Sequence, residues 1–206
     1  LGAASSVQVF SEAASFSVAH IMSGWIGATE LAAHQIAINL ASVTFMFING
    51  ISNAGAVVTG YALGEKNINK IVAAGIAALS WCMIFELCFF AVFLLFPDKL
   101  AGIYTSDKQV GQLAARLIFF AALFQLSDGL QNIAIGLLRG LQDVRFSAII
   151  SFISYWLIMI PLCYWFAFIQ DMDIEGIWLG FVIGLLAVAV LLTVRYVYIL
   201  KTLRFD

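Results

Sequence analysis

The chain has 206 residues, 63% of them hydrophobic and only 11% charged, with a net charge of −2. Soluble domains sit near about 45–50% apolar and 25% charged, so a water-solvated fold is excluded and lipid must cover much of the surface; the mean hydropathy of +1.02 agrees. The slightly acidic balance also argues against a nucleic-acid partner, which would call for a basic face.

A membrane-spanning helix needs about 20 apolar residues, and six spans are predicted: 3–26, 31–62, 71–96, 112–138, 147–169 and 176–199. Apolar runs of this length in hydrocarbon must be helical, because strands would leave backbone groups unpaired. The fold class is therefore an all-α membrane protein, a six-transmembrane-helix bundle. The opening LGAASSVQVF lacks a basic segment and cleavage site, so it is no signal peptide. It reads as the interior of an apolar segment, and the chain as part of something longer.

The first span carries Ser5, Gln8, Glu12 and Ser15 at helical spacing, a polar stripe through its middle. After GATE, with Thr29 expected as the N-cap and Glu30 in the first turn, the second span repeats the pattern with Asn39, Ser42, Asn49 and Asn53. Gly60 and Gly64, four apart, could allow close helix contact. The third span holds Glu86 in MIFELCFF without a polar stripe around it, which suits a paired or protonated structural acid as well as a functional one. FPDKLAGIYTSDKQ forms the next joint, where Ser106 and Gln109 have capping-box spacing. The fourth span gathers Gln125, Asp128, Gln131 and Asn132, within about one turn either way of Asp128. RGLQDVRF and IQDMDIEG make the last two joints.

Lys and Arg set the orientation. Lys66, Lys70, Arg139, Arg145, Arg195, Lys201 and Arg204 share one side with both termini, whereas Lys99, Lys108 and the snorkelling Arg116 mark the other, whose last loop has only Asp171, Asp173 and Glu175. The positive-inside rule then puts both ends in the cytoplasm. The three cysteines, Cys82, Cys88 and Cys163, fall in apolar runs without metal-type spacing and read as reduced, buried packing residues. His20 and His34 have no partners at metal spacing and read as structural.

A charge at mid-bilayer costs about 2.5–3.5 kcal/mol even on insertion scales, so Glu12 and Asp128 need a reason to be there. Asn, Gln and Ser between spans often only hold helices together, at about 0.6 kcal/mol each. Carboxylates are poor glue. If the three striped spans face one interior, Glu12 and Asp128 share a wet cavity, with Gln8, Asn39, Asn49, Asn53, Phe124, Gln125 and Asn132 as candidate lining residues. Such a pair can hold Na⁺ or H⁺, and an organic cation would compete with either. That competition is the physical basis of antiport, with no cofactor beyond the coupling ion.

Three stretches carry a resemblance to a known family. LAAHQIAINLASVTFMFINGISNAGAVVTGYALGEKN (31–67) is similar to the seventh-to-eighth helix region of the multidrug and toxic compound extrusion (MATE) family. SDGLQNIAIGLLRGLQDVRFSAIISFISYWLIMIPLCYWFAF (127–168) resembles its tenth and eleventh helices, and GIWLGFVIG (176–184) its twelfth. The resemblance implies the C-terminal lobe of a twelve-helix transporter, with Leu1 inside the seventh helix and a six-helix N-terminal lobe missing. It implies a bacterial inner-membrane antiporter exporting organic cations or drugs against Na⁺ or H⁺, not an enzyme. Glu12 and Asp128 match acids that contribute to coupling in Na⁺-linked members. Some members place an aromatic hydroxyl one turn before that aspartate; Phe124 stands here and offers only a ring face. Other members couple through an N-terminal-lobe aspartate, so the coupling ion stays open. One rival is a flippase of lipid-linked saccharides from the same superfamily, whose anionic cargo would want a basic cavity. Another is an intramembrane aspartic protease, whose two aspartates should lie about 3 Å apart.

Overall fold

The computed structural model describes residues 2–203, so Leu1 and Arg204 lie outside the described residues. Seven helices and no strand occur among them: α1 (Gly2–Ile26), α2 (Ala28–Gly64), α3 (Ile68–Leu95), α4 (Pro97–Tyr104), α5 (Lys108–Gly140), α6 (Val144–Ile169) and α7 (Asp173–Thr202). The six predicted spans coincide with the six long helices, running a few residues short at most ends. Five of these, α2, α3, α5, α6 and α7, are long and apolar enough to cross a membrane. α1 has the length, but its serines, Gln8 and Glu12 dilute its hydropathy.

The joints differ from expectation in three places. The stretch after α3 is not all loop: Pro97–Tyr104 forms α4, with Pro97 at a position where its missing N–H costs nothing and Asp98 in the first turn. Thr29 is not a cap, because α2 begins at Ala28 behind Gly27, which provides no side chain. Nor does Ser106 cap α5. Asp107 does, accepting from the backbone N–H groups of Gln109 and Val110 at 2.8 and 3.2 Å.

Two other joints are built alike. Lys66 and Gln142 both adopt a left-handed φ, 53° and 64°. In each, paired backbone bonds close the helix end: Lys66 N–H to Leu63 and Asn67 N–H to Ala62; Gln142 N–H to Arg139 and Asp143 N–H to Leu138. This is the Schellman arrangement, and the sequences share its spacing: Gly64-Glu65-Lys66-Asn67 and Gly140-Leu141-Gln142-Asp143.

α5 is the hub, packing against α2, α3, α4 and α7. Its contact with α2 needs glycine: a Cβ on Gly136 would stand 2.5 Å from the Ser52 carbonyl oxygen, and one on Gly140 2.6 Å from that of Ala56. α7 meets α6 the same way through Gly176, Gly180 and Gly184, which lie on the backbone at Phe166, Cys163 and Met159. These are the close-contact glycines. Gly60 and Gly64 are not: Gly64 has no neighbour within 4 Å of a built Cβ, and Gly60 only the Gly140 oxygen at 3.8 Å. α6 is α-helical only in part. Two π-turns, Ser154–Met159 and Trp165–Ile169, flank the segment containing Pro161, whose missing N–H disturbs the regular ladder. Asp143 at the start of α6 takes a bidentate pair of bonds from Arg195 of α7, at 2.7 and 3.2 Å, and that guanidinium lies 4.2 Å over the Phe146 ring. The cysteines are free, but Cys88 is exposed on α3 rather than packed inside. Arg116 does more than snorkel; it pairs with Glu175 at 3.0 Å.

Candidate functional site

Residues three apart on a helix share a face, so Asp128 and Gln131 of α5 project together. α1 lies across from them and brings Glu12. Gln131 joins the acids: its Nε2 is 3.1 Å from Asp128 Oδ1 and 3.4 Å from Glu12 Oε1. The same nitrogen is 2.8 Å from the hydroxyl of Tyr155, in the first π-turn of α6, and that hydroxyl also neighbours Glu12. Three helices thus converge on one amide.

Glu12 and Asp128 open onto a cavity of about 330 Å³ between α1, α2 and α5. Its remaining wall is largely apolar and aromatic, with Phe16, Phe45 and Phe124, and Ser42 adds a hydroxyl. Behind Phe124 and Phe16 the aromatic packing continues into Trp178 and Phe181 of α7. Asp128 is buried, while Glu12 keeps part of its surface open. The ion pairs among the described residues are Lys70–Glu65, Arg116–Glu175 and Arg195–Asp143, none of which reaches these acids. The cavity therefore has two acidic groups and, among the described residues, no protein cation paired with them.

Most of the other lining candidates face elsewhere. Gln8 is buried against α6, where it donates to Ser147 and Ser151 at 3.1 and 3.0 Å, so it ties α1 to α6. Asn39 is exposed and donates back to the Gln35 carbonyl; Asn53 donates to Asn49 and receives a bond from Arg139. The α2 stripe turns these three away from the cavity, where α2 presents Ile38, Ala41, Ser42 and Phe45 instead. Gln125 faces α3, 3.5 Å from the Glu86 carbonyl oxygen, and Asn132 lies under Ser52, whose hydroxyl donates to its backbone oxygen at 2.7 Å. Phe124 is in the wall.

Glu86 is a third acid, and it is buried. It packs against α5 at Gly129, the residue after Asp128, where any Cβ would strike its carboxylate, and its Oε2 has no partner. His34 packs among His20, Trp178 and Phe181, with ring centres 5.6–6.2 Å away. No group of three metal-ligating side chains occurs among the described residues. Of the important residues, Gln131 belongs to the polar group of the fourth span but not to the lining candidates, and Tyr155 belongs to neither. Tyr155 had no signal, because its direction is set by a π-turn inside an apolar run.

The MatE family model matches residues 4–165. This chain belongs to the MATE family. The MATE chain is 39% identical to the probable multidrug resistance protein NorM of Agrobacterium fabrum, over 98% of its own length and 44% of that protein's. It is 35% identical to the multidrug resistance protein MdtK of Proteus mirabilis, over 95% and 44%. It thus spans less than half the length of these relatives. Among solved structures, a MATE protein in a bent conformation superposes with a TM-score of 0.91 at 21% identity, covering 98% of this chain and 45% of that one. A MOP superfamily transporter from Pyrococcus furiosus, described as having a binding pocket of reversed polarity, superposes at 0.92 with 20% identity, covering 100% and 46%. The fold is that of one lobe of these transporters.

Proposed function

We propose that this MATE lobe is the C-terminal half of a secondary antiporter that exports organic cations or drugs in exchange for Na⁺ or H⁺, with Glu12 and Asp128 as the exchange site. The observation that carries the reading is the pairing of these two acids on one cavity without a protein counter-cation among the described residues. Two neighbouring carboxylates in a low-dielectric site cannot comfortably stay ionised together, so a cation or a proton must join them. The aromatic wall formed by Phe16, Phe45 and Phe124 suits a flat or lipophilic cation, by dispersion and by ring-face attraction. Only one kind of positive guest fits at a time, and entry of one displaces the other. The multidrug resistance names of the NorM and MdtK relatives favour drug cargo. The acidic cavity favours it over an anionic lipid-linked saccharide.

The exchange becomes transport when a second lobe rocks against this one, since alternating access needs two bundles about a central site. The partner is therefore an N-terminal six-helix lobe, and the location an energised bacterial inner membrane with both ends of this chain cytoplasmic. Two outcomes test the reading. Glu12→Gln in the assembled transporter should shift the Na⁺ or pH dependence of efflux about tenfold, the effect of losing one hydrogen bond to a charged group; a superimposable dependence in proteoliposomes would refute the coupling role. Reconstituted alone, the chain should show no efflux, and activity should return with the N-terminal lobe. Transport by the lone chain would mean that a pair of copies replaces the second lobe.

A further inference from the structure

Gln131 has more hydrogen-bonding demand than it can meet. Its amide nitrogen has two hydrogens and three acceptors around it, Asp128 Oδ1, Glu12 Oε1 and the Tyr155 oxygen, at 3.1, 3.4 and 2.8 Å. Its Oε1 is buried without any partner. An unmet buried acceptor beside an overcommitted donor costs free energy, and turning the amide over exchanges the two. Which end faces the acids depends on their charge. Ionised carboxylates accept only and hold the N–H groups. Once a cation sits between them, or one takes a proton, the site has positive charge or a donor of its own, and Oε1 becomes the better end to present. The N–H groups then leave the acids, and Tyr155 must find a new balance of donating and accepting.

Tyr155 is poorly placed to absorb that change quietly. It is fully buried and lies in the π-turn Ser154–Met159 of α6. Met159 of the same turn rests directly on Gly184 of α7. π-turns concentrate at functional positions because they hold the backbone away from its regular register. A change in what Tyr155 bonds acts on the turn that seats α6 against α7.

We infer that Gln131 and Tyr155 are positioning residues that sense whether Glu12 and Asp128 are neutralised and pass that state to the π-turn of α6; this rests on the exchange site proposed above. Neither residue needs to bind the transported compound. Gln131 acts by amide inversion, and Tyr155 by the hydroxyl contact that the inversion alters.

The test is infrared difference spectroscopy on the purified protein in lipid, with isotope-labelled tyrosine, recorded on adding Na⁺ at fixed pH and on acidifying without Na⁺. In the wild type the carboxylate bands and a tyrosine C–O band should change together. Tyr155→Phe should remove that tyrosine band, and Gln131→Leu should leave the carboxylates still responding while the tyrosine band shrinks to the part carried by its direct contact with Glu12. If the leucine variant gives no folded protein, Gln131→Met takes its place. A wild type whose carboxylates respond with no tyrosine band, or a tyrosine response unchanged in Gln131→Leu, overturns the inference while the exchange site stands. Carboxylates silent to both Na⁺ and H⁺ overturn the exchange site and this inference together. In the assembled transporter Tyr155→Phe should raise the half-activating cation concentration about tenfold, as expected for one hydrogen bond in a charged network, with the KM for drug unchanged. A lower maximal rate with unchanged cation dependence would mark Tyr155 as packing only.

Discussion

Asp128→Asn in the assembled transporter is expected to abolish cation-driven efflux while the protein still reaches the membrane in normal amounts. The side chain keeps its size, and its oxygen can still accept from Gln131, so the α5 packing around it has no reason to fail. What is lost is one of two negative charges on the cavity. Losing the carboxylate partner of a bound, buried cation costs about 2–5 kcal/mol, so cation binding should weaken by roughly a hundredfold or more. Efflux of a fluorescent cationic drug from energised vesicles, normalised to protein level, measures it. Wild-type rates would remove Asp128 from the mechanism, and lost expression would assign it to folding instead.

The second large effect lies far from the cavity. Gly180→Leu is expected to prevent α6 and α7 from seating and to leave little folded protein. A Cβ there would stand 2.6 Å from the Cys163 nitrogen and 2.7 Å from its α carbon, against a backbone held on both sides by the contacts at Gly176 and Gly184. Even Gly180→Ala should cost about 1–3 kcal/mol, as overpacking of tight cores does. Gly64→Ala provides the contrast: nothing lies within 4 Å of its built Cβ, so the helix should gain about 0.5–1 kcal/mol from lost backbone freedom. Thermal unfolding in detergent, followed by size-exclusion chromatography, separates the two. Equal melting of Gly180→Leu and wild type would disprove the close α6–α7 contact.

The spans were legible because in hydrocarbon a long apolar run has only one way to satisfy its backbone. Glu12 and Asp128 stood out because a charge in such a run is costly. What the sequence did not disclose was direction. A polar stripe on α2 looked as though it faced the same interior as the acids, but Asn39 and Asn53 turn outward and Ser42 alone of that stripe reaches the cavity. Gln8 looked like a cavity residue until Ser147 and Ser151 proved to be its partners across 139 and 143 positions of chain. The glycines show a subtler failure. Gly60 with Gly64 and Gly176 with Gly180 and Gly184 have the same four-residue spacing, yet only the second set meets a neighbouring backbone. Spacing alone states that a helix could approach closely; the partner decides whether it does. Tyr155 was invisible because regular helical periodicity misplaces side chains across a π-turn.

α2 has a consequence for how such a chain is made. Several of its polar side chains bond within their own helix: Asn39 donates to the Gln35 carbonyl, Ser42 to that of Ile38, and Asn53 to Asn49. A segment that quenches its own polarity can leave the insertion machinery and dissolve in lipid before any companion arrives. α1, whose Gln8 depends on serines emerging from the ribosome far later, has no such independence. Biogenesis would then run out of numerical order, with α2 settling first and α1 waiting at the translocon, or shielded by a chaperone, until α6 is synthesised.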